Sequence, residues 1–227
     1  MKLHELCGDR KQRFSPYCWR IRLGLAIKGL KAEAVPVGFT EIPAICGGTG
    51  KTVPVLETSD GAITDSFDIA LYLDRMHAYK PLFRGEGAEA HCRLIEAWAN
   101  TAVTGGLASM IVLDVWKILS PQDREYFRTS REKRFGKTLE EFQAGREDRV
   151  AGFNAMVMAT PRRALSLAPW LGGDQPDYAD CIIFGSLMWA AVVSEFQVVE
   201  DGPVKDWFHR CLALMPDEAD VKALLAR

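Results

Sequence analysis

The sequence predicts an α/β domain of roughly 80 residues followed by an all-α domain. Strand-like and helix-like segments alternate up to residue 78, and strand signals cease from Ala88 onward. Between them "AYKPLFRGEG" at 78–87, with one Pro and two Gly, punctuates the chain. The expected division is therefore 1–78, a linker at 79–87, and a helical domain over 88–227.

Composition narrows the function. The 227 residues are 48% hydrophobic and 26% charged, with 19 Gly and 11 Pro, which is ordinary usage for a globular chain with a real core. A formal net charge of −2 offers no bulk attraction to phosphate backbones, so a small ligand is expected and nucleic acid is not. No run of apolar residues approaches the roughly 20 that a membrane span needs, and "MKLHELCGDRKQRF" is too polar for a signal-peptide core. No membrane partner is expected, and the expected location is the cytoplasm. The six cysteines form no C-x-x-C pair and the four histidines are dispersed, which predicts reduced thiols and no metal.

In chain order, "KLHEL" at 2–6 reads as a strand, and "SPYCWRIRLGLAIKGL" at 15–30 as a helix capped by Ser15, with Pro16 at its first position and an end near Gly29. Further strands are expected at 32–37, 52–57 and 62–65, the last two joined by a turn at Asp60-Gly61, and "SFDIALYLDRMH" makes the next helix. This order is, by analogy, that of a thioredoxin-like domain. In the second half one long helical pattern runs from Ala88 with an interruption expected at Gly105-Gly106. Ser120-Pro121 restarts a helix, Asp177 and Asp180 stand in capping-box spacing, and two short helices close the chain. The tract 122–150 interleaves charges of both signs, which predicts a solvated helical face rather than a lid or a dimer contact.

Several stretches could carry chemistry. "ICGGTGKTVP" ends like a phosphate-binding loop, but Ile45 replaces its first glycine and a Val-Pro strand follows where a helix N-terminus is needed. It reads as a flexible loop in which Lys51 steers an anion. Val53-Pro54 interrupts a strand: it is either an edge-strand proline or a cis-proline that frees the backbone of Val53 to pair with an extended peptide. Asp65-Ser66 joins a strand to a helix, as a cap alone or as a site offering free N–H groups to a carboxylate and the Asp65 carboxylate to an ammonium.

Together, Ser15-Pro16, Val53-Pro54 and "TDSFDIALYLD" at 64–74 resemble, in order and rough spacing, the three glutathione-binding landmarks of the glutathione transferases. "GGDQPDYADCIIFG" is similar to the buried capping motif of that family's helical domain. The resemblance spans the chain. It implies a glutathione transferase fold with glutathione as co-substrate, Ser15 facing the sulfur, Lys51, Thr52, Val53 and Pro54 along the tripeptide, and Asp65 and Ser66 at its γ-glutamyl end. It also implies a homodimer. "SPYCWR", "LSPQDREYFRTSRE", "LEEFQAGREDR" and "WLGGDQPDYAD" are most similar to bacterial glutathione-dependent β-etherases and their fungal relatives.

"FSPYCW" also resembles the Cys-Pro-Tyr-Cys redox motif with serine in place of its first cysteine. A cysteine there would form a mixed disulfide and direct the site to thiol exchange, whereas a hydroxyl at a helix N-terminus stabilises a bound thiolate. Tyr17 lies roughly 200° around the helix from Ser15 and is a reserve candidate. Cys18 reads as a buried hydrophobe, and Cys7 as a weaker nucleophile still. For the second substrate Phe14, Tyr17, Trp98, Met110 and Trp116 are the apolar candidates, against the alternative that each is core. The expected activity is transfer of glutathione to an apolar aromatic electrophile, with a β-aryl ether as the leading guess. The alternatives are a glutathione-dependent isomerase of the maleylacetoacetate type, a ligand-binding homologue without catalysis, and a thiol oxidoreductase acting through Cys18 or Cys7.

Overall fold

The computed structural model describes residues 1–48 and 50–225. Four strands, β1 (Lys2–Leu6), β2 (Glu33–Val37), β3 (Val55–Thr58) and β4 (Gly61–Thr64), form one sheet in the order β2-β1-β3-β4. β1 runs parallel to β2, and β3 is antiparallel to both β1 and β4. The parallel crossover is helix α1 (Pro16–Lys28), and α3 (Ser66–Met76) follows β4. This is the thioredoxin-like arrangement that the order of segments predicts.

Two features of this half depart from expectation. β3 begins at Val55 rather than at 52, because the Val53-Pro54 peptide is cis and the ladder starts after it. The stretch expected to be a plain loop winds through a 3-10 turn (Phe39–Ala44) into a single helical turn, α2 (Ile45–Gly48), with left-handed backbone at Cys46 and Gly47. No helix follows it to meet a phosphate; β3 does. Thr49, within that stretch, lies outside the described residues.

The second half is helical: α4 (Ala88–Trp98), α5 (Thr104–Ile118), α6 (Pro121–Phe135), α7 (Leu139–Gln143), α8 (Arg146–Gly152), α9 (Ala159–Leu165), α10 (Tyr178–Val193), α11 (Pro203–Ala213) and α12 (Ala219–Leu225). The last two residues of the final predicted helix, 226 and 227, lie outside the described ones. The pattern from Ala88 is interrupted earlier than expected, by a π turn at Ala99–Val103, and Gly105 and Gly106 continue the helix. Gly106 serves packing instead: a Cβ there would stand 2.8 Å from the Phe153 ring. Because no break separates α4 from α5, the helical run Ala88–Ile118 is, by length and composition alone, long and apolar enough to cross a membrane, which corrects the expectation of no such run. Val103, Leu107, Met110 and Ile111 of that run are buried in the core.

The charge-rich tract forms α6, α7 and α8, and it is more than a solvated face. Arg128 pairs with Glu132 and Glu140 near the surface, but Asp123 is buried and accepts from the amide and the hydroxyl of Thr40, both at 2.9 Å, tying α6 to the 3-10 turn of the first domain.

The two halves share one core. Helix α1 is wedged between the sheet and α10, with Trp19 packed edge-on against Phe184. Gly185 permits the close approach, since a Cβ there would lie 2.3 Å from the Pro16 carbonyl oxygen. α10 is fixed at its own start by Asp177, which caps Ala179, and by buried Asp180, which accepts from the amides of Leu171, Gly172 and Asp177 and from the Trp207 indole at 2.7 to 3.0 Å. Replacing Gly185 with alanine should therefore push α10 off the first turn of α1 and cost about 2 kcal/mol, read as a lowered denaturation midpoint. An unchanged midpoint would show that this contact is not tight.

Candidate functional site

Three chain corners meet at one end of the sheet. The first is the start of α1. Ser15 has extended backbone (φ −64°, ψ 126°), and its hydroxyl oxygen accepts from the Cys18 amide at 3.4 Å, as a side-chain cap does. Only 5% of Ser15 is exposed, and Pro16 at the first helical position removes an amide that would otherwise go unpaired.

The second corner is the cis Val53-Pro54 peptide. Val53 precedes β3 and stands outside both the β1 and the β4 ladders, at the end of the strand where a peptide could align. Lys51 and Thr52 before it are exposed.

The third is the start of α3. Asp65 adopts φ 72°, and its carboxylate accepts from the amides of Phe67 at 2.7 Å and Asp68 at 3.4 Å. Its carboxylate is exposed, while the Ser66 hydroxyl beside it is buried without a hydrogen-bond partner of good geometry and lies against the Tyr178 phenol. A buried, poorly satisfied hydroxyl beside a positive helix end suits a ligand carboxylate.

Beneath these corners lies an ion pair. Arg20 of α1, fully buried, donates to Glu96 of α4 and to Asn100, both at 2.7 Å, and its guanidinium also covers the Tyr17 ring at 4.6 Å. Burial holds the Glu96 carboxyl above its ordinary value; Arg20 opposes this and the Asp65 charge adds to it. Tyr17 is thus half-buried, with its ring under Arg20.

The thiols nearby are unsuited to nucleophilic work. Cys18 is completely buried, and that burial pushes its thiol up to about 12; Cys7 is raised to about 11, again mainly by burial. Both therefore remain protonated at neutral pH. Among the described residues no cluster of three or more His, Cys, Asp or Glu side chains could hold a metal.

The apolar candidates separate. Phe14, itself buried, meets Phe39, whose ring lies 5.6 Å from Phe127 and 5.8 Å from Tyr126 of α6. Trp116, half-buried at the end of α5, borders the same helix through the guanidiniums of Arg124 and Arg128. The loop before α1 touches this end of α5, where the Asp9 amide donates to the Ile118 carbonyl at 2.9 Å. Phe14 and Trp116 thus flank one junction of the two domains. Met110 is 1% exposed and belongs to the core; Trp98 is half-buried against that core.

Comparison with known proteins assigns both halves of the chain to one family. The family model described as glutathione S-transferase, N-terminal domain, matches residues 14–76, and the one described as glutathione S-transferase, C-terminal domain, matches residues 90–214. The chain belongs to the glutathione S-transferase family. It is 29% identical over 161 residues to the glutathione S-transferase-like protein ustS of Aspergillus flavus, covering 66% of this chain and 56% of that protein. It is also 33% identical over 111 residues to glutathione S-transferase Z1 of Arabidopsis thaliana, covering 44% and 48%. The chain spans about half the length of these relatives. Among solved structures, the glutathione transferase GSTFuA2 of Phanerochaete chrysosporium superposes with a TM-score of 0.78 at 26% identity, covering 93% of this chain and 96% of that one.

Arg20, Glu96 and Tyr178 stand beside these corners without a motif in the sequence that points to them. A signal for Arg20 existed: two arginines, Arg20 and Arg22, interrupt the otherwise apolar "WRIRLGLAI", and arginines on an apolar helix imply buried partners. The thiols give a direct check on burial. Brief alkylation of the native protein at neutral pH should modify Cys46, the one partly exposed cysteine, and leave Cys7, Cys18, Cys92, Cys181 and Cys211 untouched until unfolding, as peptide mass spectrometry would show. Early labelling of Cys18 would contradict its burial.

Proposed function

We propose that this transferase uses the Ser15 hydroxyl to stabilise the thiolate of bound glutathione for attack on an apolar aromatic electrophile, with a β-aryl ether as the substrate class. The observation that carries this reading is the Ser15 cap. Its oxygen accepts from the Cys18 amide, which leaves the hydroxyl proton to donate to an acceptor lying in front of α1.

Several features favour glutathione as the ligand. The exposed Asp65 carboxylate and the buried Ser66 hydroxyl offer partners for the ammonium and carboxylate of a γ-glutamyl group, and Val53 offers a strand end to the cysteinyl backbone. Two fungal transferases of the same fold, from Ceriporiopsis subvermispora, were solved in complex with glutathione.

The tripeptide supplies the nucleophilic sulfur. Ser15 holds it as the anion: lowering a thiol from its usual value to about 6.5 takes about 2.7 kcal/mol, within reach of one charge-assisted hydrogen bond plus a helix end. Phe14 and Trp116 border the junction where an aromatic acceptor would lie. In ether cleavage the sulfur–carbon bond forms as the carbon–oxygen bond to the aryloxide breaks, and the aryloxide takes a proton from water to leave as a phenol. The buried, protonated state of Cys18 and Cys7 weighs against thiol exchange.

Turnover of a model β-aryl ether with glutathione, followed by phenol release, tests the reading. We expect release by the native protein and a loss of about 10²-fold in kcat/KM in Ser15→Ala. Conjugation of an aryl halide without ether cleavage would retain the transferase and remove the ether as substrate. Disulfide reduction that is lost in Cys18→Ala but survives in Ser15→Ala would overturn the mechanism.

A further inference from the structure

The loop that delivers Ser15 is held from the far end of the chain. Arg13, two residues before Ser15, donates from Nη1 to Glu218 at 3.0 Å and to Asp220 at 3.3 Å, both at the approach to or start of α12. Its own amide points at Asp220, 3.4 Å away, and its carbonyl accepts from the Trp19 indole at 2.9 Å. Glu218 also pairs with Arg22 at 2.6 Å. Arg22 in turn forks onto Glu5, a fully buried residue of β1, with Nε 2.5 Å from one carboxylate oxygen and Nη2 on the other.

This arrangement exceeds what the fold requires. Arg22 forks onto Glu5 and Arg13 Nε lies 3.5 Å from the same carboxylate, so Glu5 already faces two guanidiniums and Glu218 and Asp220 are not needed to neutralise it. Three carboxylates in fact face two guanidiniums, and the surplus acids gather around Arg13. The other end of the loop is pinned independently, by the Gly8 amide on the Gln12 carbonyl and the Asp9 amide on the Ile118 carbonyl, each at 2.9 Å. Near Ser15 the other ties are the Trp19 indole on the Arg13 carbonyl, the Arg13–Glu5 ion pair at 3.5 Å, the backbone bridge between Arg13 and Cys7, a long bond from the Phe14 amide to the Leu6 carbonyl at 3.4 Å, and the Trp19 amide on the Ser15 carbonyl at 3.1 Å. α12 is itself anchored, through the fully buried Val221.

We propose that Glu218 and Asp220 are positioning residues that fix Arg13 and, through it, the Ser15 hydroxyl against the glutathione sulfur. The C-terminal segment is thereby part of the thiolate-stabilising machinery without touching substrate. This rests on the role given to Ser15 above.

The test compares the native protein with Glu218→Gln/Asp220→Asn, with Asp220→Asn alone, with Asp220→Glu, and with Ser15→Ala. Three quantities are read: the ultraviolet titration of the thiolate in the glutathione complex, kcat and KM for glutathione with an aryl halide, and thermal unfolding. We expect the double variant to raise the thiol pKa by about one unit and lower kcat about tenfold, with KM for glutathione within about twofold. Asp220→Asn should move both in the same direction by about threefold in kcat, and Asp220→Glu should restore most of the loss. If the double variant fails to fold, Asp220→Asn decides the matter alone. A thiol titration and kcat that stay native while unfolding shifts would make the contacts structural only and overturn the inference. A shift in Ser15→Ala with none in the acidic variants would overturn this inference alone; no shift in Ser15→Ala would overturn the role of Ser15 as well.

Discussion

Helix α1 is the constraint on which the site depends. It is buried against the sheet on one side and α10 on the other, and its Pro16 carbonyl lies where only a glycine, Gly185, can pass. A helix so enclosed has no freedom to slide or turn, because packed interiors resist displacement. Its two arginines sharpen the constraint. Arg20 reaches across to Glu96 and Asn100, and Arg22 back to Glu5; stripping either of its partners would leave a charge in the core at a cost of several kcal/mol. The Ser15 cap at the mouth of the helix inherits this rigidity.

That rigidity separates structural from chemical roles among neighbouring residues. Ser15 and Cys18 are one turn apart on the same helix, but the hydroxyl stands at the helix mouth while the thiol is sealed beneath it and held protonated by burial. On the proposed mechanism, serine at the first position of the redox spacing holds a sulfur anion, where a cysteine would form a bond to sulfur. A similar economy holds at α3, where the Asp65 carboxylate caps the helix with one oxygen yet remains exposed.

How much of this the sequence shows depends on the range of the interaction. The caps at Ser15, Asp65, Ser120 and Asp177 were legible because each is a short-range hydrogen bond written in three or four residues. β3 starts three residues later than the apolar run suggests, at Val55, because the proline before it has no N–H to give the ladder. The π turn at Ala99–Val103 carries no composition signal, and of the two glycines that suggest a break at 105–106, Gly106 answers instead to close packing against Phe153. Two of the acidic partners of Arg13, Glu218 and Asp220, lie more than two hundred positions away, and no local pattern could join them to it. Met110 sits in the core, and its spacing could not decide this in advance, because a large apolar residue at helical spacing fits a core as well as a pocket.

A crystal structure of the protein soaked with glutathione examines the central claim most directly. The account predicts the sulfur within about 3.5 Å of the Ser15 oxygen, the cysteinyl backbone along Val53 and the γ-glutamyl group at Asp65 and Ser66. A sulfur bonded to Cys18, or seated on Tyr17 away from Ser15, would contradict it, as would an empty pocket at millimolar tripeptide.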